Sequence, residues 1–185
     1  MCMNICVIKG PPRTGKTATI CHIVKMLIKR KMRVMMCAPS NVAVDTVTRN
    51  LLNIVDDTSM ITRFCSERAR KCPQELSCIN FSDKVSRYIE RKHNDPYFLD
   101  WFETNQQLSL EKKAPIENAL WDTKTFNVSR YEAYKAVCRD SLIVSTTLTT
   151  CNISLLDDFK PEVVIIDESS QSTESDVIGA LNRGS

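Results

Sequence analysis

The sequence predicts an α/β fold, a parallel sheet with helices on both faces, and three observations carry that expectation. Short apolar runs alternate with amphipathic ones near both ends of the chain. The first apolar run leads into Gly10-Pro11-Pro12-Arg13-Thr14-Gly15-Lys16-Thr17, which fits the pattern GxxxxGK[ST] and precedes an amphipathic stretch. The last, Val163-Val164-Ile165-Ile166, stops at Asp167-Glu168, two carboxylates at the end of a buried strand.

Taken in order, Asn4 to Ile8 reads as a fully buried strand, because it is a short unbroken apolar run. Thr17 to Arg30 reads as a helix with Ile20, Ile23, Val24, Leu27 and Ile28 on one face. The basic cluster Lys29-Arg30-Lys31 suits the negative end of its dipole. Arg33 to Ala38 is a second strand, broken by Pro39. Ser40 or Asn41 then caps a helix carrying Val44, Val47, Leu51 and Leu52. Ser59 to Phe64 is a weaker strand.

From residue 66 to 140 strand character gives way to helical periodicity. One helix is capped by Ser82 and carries Val85, Tyr88 and Ile89. A second starts near Pro96 with Phe98, Trp101 and Phe102, and a third runs from Ser129 to Cys138. The expected organisation is a core formed by residues 1–65 and 141–185 with a helical insertion at 66–140. Ser141 to Ser145 and Glu162 to Ile166 resume the strands.

Bulk properties fit one soluble globular domain of 185 residues with net charge +3. The charge is uneven: residues 62–93 hold eight Lys or Arg against four Asp or Glu. Arg63, Arg68, Arg70, Lys71, Lys84, Arg87, Arg91 and Lys92 are therefore candidates to lie along a polyanion. The nine cysteines form no CxxC framework, which fits a reducing cytosol or nucleus. Cys65, Cys72 and Cys78 are spaced too widely for a zinc knuckle. The N-terminal run lacks a basic flank, so it reads as a strand and not a secretory signal. No apolar run is long enough to span a bilayer.

The chemistry follows from the two motifs. Gly10 and Gly15 permit turns that point successive N–H groups inward, a cradle for phosphate oxygens at a helix N-terminus. Lys16 supplies a point charge to the β- and γ-phosphates, and the Thr17 hydroxyl reaches Mg²⁺. Asp167 is suited to hold that ion through water, and Glu168 to orient or deprotonate an attacking water. The whole is a phosphate-loop NTPase pattern with ATP and Mg²⁺ as expected cofactors.

A third string, Ala38-Pro39-Ser40-Asn41-Val42-Ala43-Val44-Asp45, adds a resemblance. With the phosphate loop and Asp167-Glu168-Ser169-Ser170-Gln171, it is similar to the first RecA-like domain of superfamily 1B helicases. Within that superfamily it resembles the group that contains the nonsense-mediated-decay helicase and senataxin. The resemblance implies ATP-dependent helicase activity on single-stranded RNA or DNA, with RNA favoured. It implies that Gln171 senses the γ-phosphate. It also implies that Pro39, Ser40 and Asn41, with Ser145, Thr146 and Thr147, touch the nucleic-acid backbone. Small hydroxyls, an amide and free N–H groups suit such contacts, which read no bases.

Two departures bear on activity. The family usually has Gly where this chain has Arg13, a cost of roughly 1–2 kcal/mol if that position needs positive φ. The sequence also stops 18 residues after Asp167. The expectation is a C-terminally incomplete RecA-like fold without a second lobe and its arginines. It binds nucleotide but hydrolyses it poorly alone. The rivals are a non-catalytic remnant that binds nucleotide or a protein partner only, and a phosphate-loop kinase or signalling NTPase.

Overall fold

A computed structural model describes residues 5–11, 14–65, 73–93 and 131–184. Helix α1 spans Lys16–Lys29 and begins after Gly15, whose φ of 84° lies in the left-handed region. It ends in a Schellman turn. Lys31 N–H donates to Ile28 O (2.7 Å) and Met32 N–H to Leu27 O (3.1 Å). Lys31 takes the left-handed position with φ 59°. Strand β1 is Val34–Ala38, and helix α2 is Asn41–Leu52. Ser40 caps α2, its Oγ accepting from Ala43 N–H at 3.2 Å. Strand β2 is Ile61–Arg63, shorter than expected.

Within residues 66–140 a 3₁₀ turn at Gln74–Ile79 leads into α3, Phe81–His93. Residues 131–140 form α4. The helix expected near Pro96, with Phe98, Trp101 and Phe102, lies outside the described residues. Strands β3 (Ile143–Thr147) and β4 (Val163–Ile166) follow, and α5 is Glu174–Leu181.

The sheet is parallel with order β2-β3-β1-β4. Side-chain alternation along β1 divides the core. Val34 and Met36 join Ile20, Cys21 and Val24 of α1 and Val47 and Leu51 of α2 on one face. Met35 and Cys37 join Phe81 and Val85 of α3, Ala133 and Val137 of α4, and Ala180 of α5 on the other. Helices thus cover both faces, as the alternating pattern predicts. Helices α3 and α4 supply core to the second face; Phe64 and Phe81 meet at 4.7 Å between ring centroids.

One expectation fails. Residues 5–11 form no strand, and Ile5, Val7 and Ile8 are 63%, 71% and 54% exposed. Apolar composition favours burial but supplies no hydrogen-bonding edge, and a strand needs both. The described pairings are β1 with β3, β1 with β4, and β2 with β3, and none involves this segment.

Candidate functional site

The parallel register brings the carboxyl ends of the strands to one rim. Ala38 lies opposite Thr147, and Asp167 N–H extends the β4 ladder by donating to Cys37 O at 2.9 Å. Ligands bind at such rims because the following loops and helix N-termini converge there.

The phosphate-loop pattern turns into α1 at this rim. No atom lies within 4 Å of where a Cβ on Gly15 would sit, so glycine is required there by backbone conformation and not by space. No side chain caps α1, which leaves its first-turn N–H groups open to an incoming acceptor. The loop is closed by Thr14 Oγ1 donating to Pro11 O at 2.7 Å. Lys16 Nζ donates to the carbonyls of Gly10 (3.0 Å) and Pro11 (2.8 Å). An ammonium has three donors, so one remains for a phosphate oxygen. Thr17 is half-buried at the first turn. Pro12 and Arg13 lie outside the described residues.

Asp167 is 7% exposed. Burial lifts its carboxyl above the usual carboxylate range, and the neighbouring Glu168 charge adds to that. The N–H of Glu168, 3.0 Å from Asp167 Oδ1, and the Lys16 ammonium oppose it. The Cys21 thiol on α1 is raised by its own burial and by the Asp167 charge. The start of α1 and the end of β4 are therefore within electrostatic reach of each other. Glu168 is exposed and left-handed with φ 54°, an uncommon conformation for a residue with a Cβ. Gln171 Nε2 donates to Glu168 Oε2 at 3.1 Å.

The third motif opens α2. Ser40 is exposed and Pro39 and Asn41 are half-buried. Ser145 and Thr146 are interior residues of β3, 1% and 0% exposed, and their hydroxyls have no partner. Thr147 Oγ1 bonds to the hydroxyls of Thr149 (3.2 Å) and Thr150 (2.7 Å).

The expected basic track is corrected at two positions. Arg63 is wholly buried. Its Nε donates to Asp45 Oδ1 at 2.8 Å and one Nη to Asn41 Oδ1 at 2.9 Å. Lys84 turns inward and donates to Ser59 O, Ile61 O and Thr62 Oγ1. Both answer acceptors inside the fold, so their charges are unavailable to a polyanion. Arg87 is exposed but donates to the carbonyls of Asp83 and Cys78, and Arg91 is exposed. Arg68, Arg70 and Lys71 lie outside the described residues, as does the Lys92 side chain. The sequence carried a signal for Arg63 that charge counting hides. It is a cation in an otherwise apolar strand, and Asn41 and Asp45 stand four apart, on one face of a helix.

A parallel sheet, a glycine-turned loop opening a helix, and a buried Asp at a strand end on the same rim define a RecA-like phosphate-loop NTPase. A family model described as an AAA domain matches residues 2–124 and 102–185. Regulator of nonsense transcripts 1 of Caenorhabditis elegans is 26% identical over 185 residues, 96% of this chain and 15% of that protein. Its Arabidopsis thaliana homolog is 27% identical over 189 residues, 97% of this chain and 14% of that protein. The rat DNA-binding protein SMUBP-2 is 45% identical over 48 residues, 26% of this chain and 5% of that protein. The chain belongs to the AAA-domain family and resembles the first RecA-like domain of superfamily 1 helicases over nearly its whole length. It spans about 15% of the length of the nonsense-transcript regulators it matches. Among the described residues no helix is long and apolar enough to cross a membrane.

Proposed function

We propose that this chain is the ATP-binding part of a nucleic-acid helicase, in which Mg·ATP hydrolysis is coupled to the grip on a single strand of RNA or DNA. The observation that carries the reading is the glycine-turned loop that opens α1, with Lys16 at its first position, on the same rim as the buried Asp167 that follows β4. Lys16 and the open first turn of α1 bind the phosphates. The donor set suits Mg²⁺, which keeps waters and phosphate oxygens and takes one or two protein ligands. Thr17 offers a hydroxyl and Asp167 a carboxylate. Among the described residues no three His, Cys, Asp or Glu cluster as a dedicated metal cage. Bound Mg·ATP would supply the electrophilic phosphorus with its charge partly neutralised. Glu168, exposed beside Asp167, holds and orients the attacking water, and Gln171 fixes the Glu168 carboxylate.

The strand lies against the start of α2. Ser40 and Asn41 touch phosphate or sugar, and Pro39 shapes the turn. The contact expected from Ser145, Thr146 and Thr147 passes to the turn they lead into, where Thr149 is exposed. The seven free thiols among the described cysteines suit work in the cytosol or nucleus.

Titration of a fluorescent ATP analogue with Mg²⁺ tests the nucleotide half. Lys16→Ala should weaken binding by about tenfold or more, since a charge-assisted contact is lost. Equal affinity would overturn the role of Lys16. Anisotropy of labelled oligo-U and oligo-dT tests the other half. Binding of neither at low salt would leave a nucleotide-binding remnant.

A further inference from the structure

Among the described residues the Arg63 side chain is the largest that is fully buried, and its guanidinium meets three elements at once. Asp45 on α2 neutralises it. The carbonyls of Phe64 and Ser145 accept from one Nη, Ser145 at 3.5 Å. The other Nη donates to Asn41 Oδ1 at 2.9 Å. Asn41 and Asp45 are four residues apart, so a single planar fork reads one face of the first turn of α2 and ties it to the end of β2 and the middle of β3.

Arginine has five donors and no acceptor. The atom of the Asn41 amide that faces it is therefore the oxygen, and the NH₂ group faces away from the guanidinium. Asn41 is half-buried, and its NH₂ has no hydrogen-bond partner among the described residues. Beside it, Ser40 Oγ already accepts from Ala43 N–H, so its own hydrogen is left to donate. The start of α2 thus presents donors.

We propose that Arg63 is a positioning residue for single-strand binding: it holds Asn41 with its amide hydrogens outward, toward the acceptor oxygens of phosphate and sugar. The inference rests on the strand-binding reading above. Arg63 itself, wholly buried and paired, touches no phosphate. Its loss frees the Asn41 amide to rotate and present its oxygen to an anion, which repels it.

The test is anisotropy of labelled oligo-U and oligo-dT across a salt series, with thermal melting and nucleotide binding as measures of folding. Arg63→Lys keeps the charge and loses the fork. It should weaken strand binding by about tenfold and leave the salt slope unchanged. A slope flatter by about 0.7 would mean a direct phosphate contact and overturn the proposal. Combining Arg63→Lys with Asn41→Ala should bind no more weakly than Asn41→Ala alone, because Arg63 acts through that amide; additive losses would overturn it. Should Arg63→Lys not fold, Asn41→Asp decides, with Arg63 intact. One carboxylate oxygen still accepts from Arg63 while the other faces outward, so Asn41→Asp should bind more weakly than Asn41→Ala. Equal or tighter binding by Asn41→Asp would reject the outward donor. Wild-type protein that binds no strand at low salt would remove the strand-binding reading and this inference together. Wild-type binding that Arg63→Lys leaves intact would remove this inference alone.

Discussion

Gln171 holds the carboxylate of Glu168 through a hydrogen bond of 3.1 Å from Nε2 to Oε2, closing a turn in which Glu168 has a φ of 54°. A left-handed backbone on a residue with a Cβ costs about 1–2 kcal/mol. Strain of this kind persists where the surroundings over-determine it, and functional sites are where it gathers. Here the preceding strand, the Asp167 Oδ1 bond to Glu168 N–H and the Gln171 bond all fix the same residue.

Glu168→Gln should separate binding from chemistry. Its side-chain oxygen still accepts from Gln171, so the turn survives, but the carboxylate that would take a proton from water is gone. Nucleotide affinity should stay within about twofold, while any hydrolysis falls about 10²–10⁴-fold, the usual worth of a general base. Phosphate release in single turnover, beside a binding titration, measures both. Hydrolysis retained at the wild-type rate would remove Glu168 from the chemistry.

Asp167→Asn should stabilise the nucleotide-free fold above about pH 4 while weakening the Mg²⁺ dependence of nucleotide binding. Burial raises the folded carboxyl above its ordinary value of 3.8. Between that value and the raised one the native state holds more protons than the unfolded chain, so stability falls as pH rises through the window. The amide carries no charge to desolvate, and this part of the pH dependence should vanish. Thermal melting of both proteins from pH 3 to 7 checks it. A less stable variant at pH 7 would mean that Lys16 outweighs the burial of Asp167.

Legibility in the sequence tracked how local the determining physics was. Helix α1 begins one residue before the expected Thr17 and α2 directly after Ser40, one of its two expected caps, because caps and apolar periodicity are written in neighbouring residues. Asp167 was readable as a strand-end carboxylate because four apolar residues run into it. Pairing was not readable. The segment 5–8 is as apolar as β4, yet of the two only β4 pairs with a strand among the described residues. Charge partners were not readable either. Arg63 and Lys84 count as basic surface in a charge tally, and their acceptors come from distant segments. Ser145 and Thr146 look like contacts on a polar strand end until the sheet buries them on both faces.

Val7→Pro should leave thermal stability unchanged within about 0.5 kcal/mol, the range of ordinary surface substitutions. Val7 is 71% exposed and its N–H joins no sheet ladder. Proline inside a central strand would remove a ladder hydrogen bond, which confines it to edges and bulges. Differential scanning fluorimetry separates the two cases, and a large drop would show that residues 5–8 pair within a sheet in solution.

Lys84→Met should destabilise the fold without altering strand binding, the reverse of what its position in a basic stretch suggests. The ammonium answers Ser59 O at 2.6 Å, Ile61 O at 2.7 Å and Thr62 Oγ1 at 2.9 Å, joining α3 to the start of β2. Methionine fills the same volume but leaves those acceptors unanswered, at a cost of about 1–3 kcal/mol. Desolvation by burial, with the nearby Arg87 charge, lowers the Lys84 pKa from 10.5 to about 8. Between pH 8 and 10.5 the unfolded chain therefore holds more protons than the native state, and the Lys84 contribution to stability rises with pH. Below pH 8 its penalty is constant. The variant should melt lower at pH 7 and lose the upward trend between pH 8 and 10.5. Its salt slope for oligo-dT should match that of the wild type, whereas a slope flatter by about 0.7 would return Lys84 to the phosphate backbone.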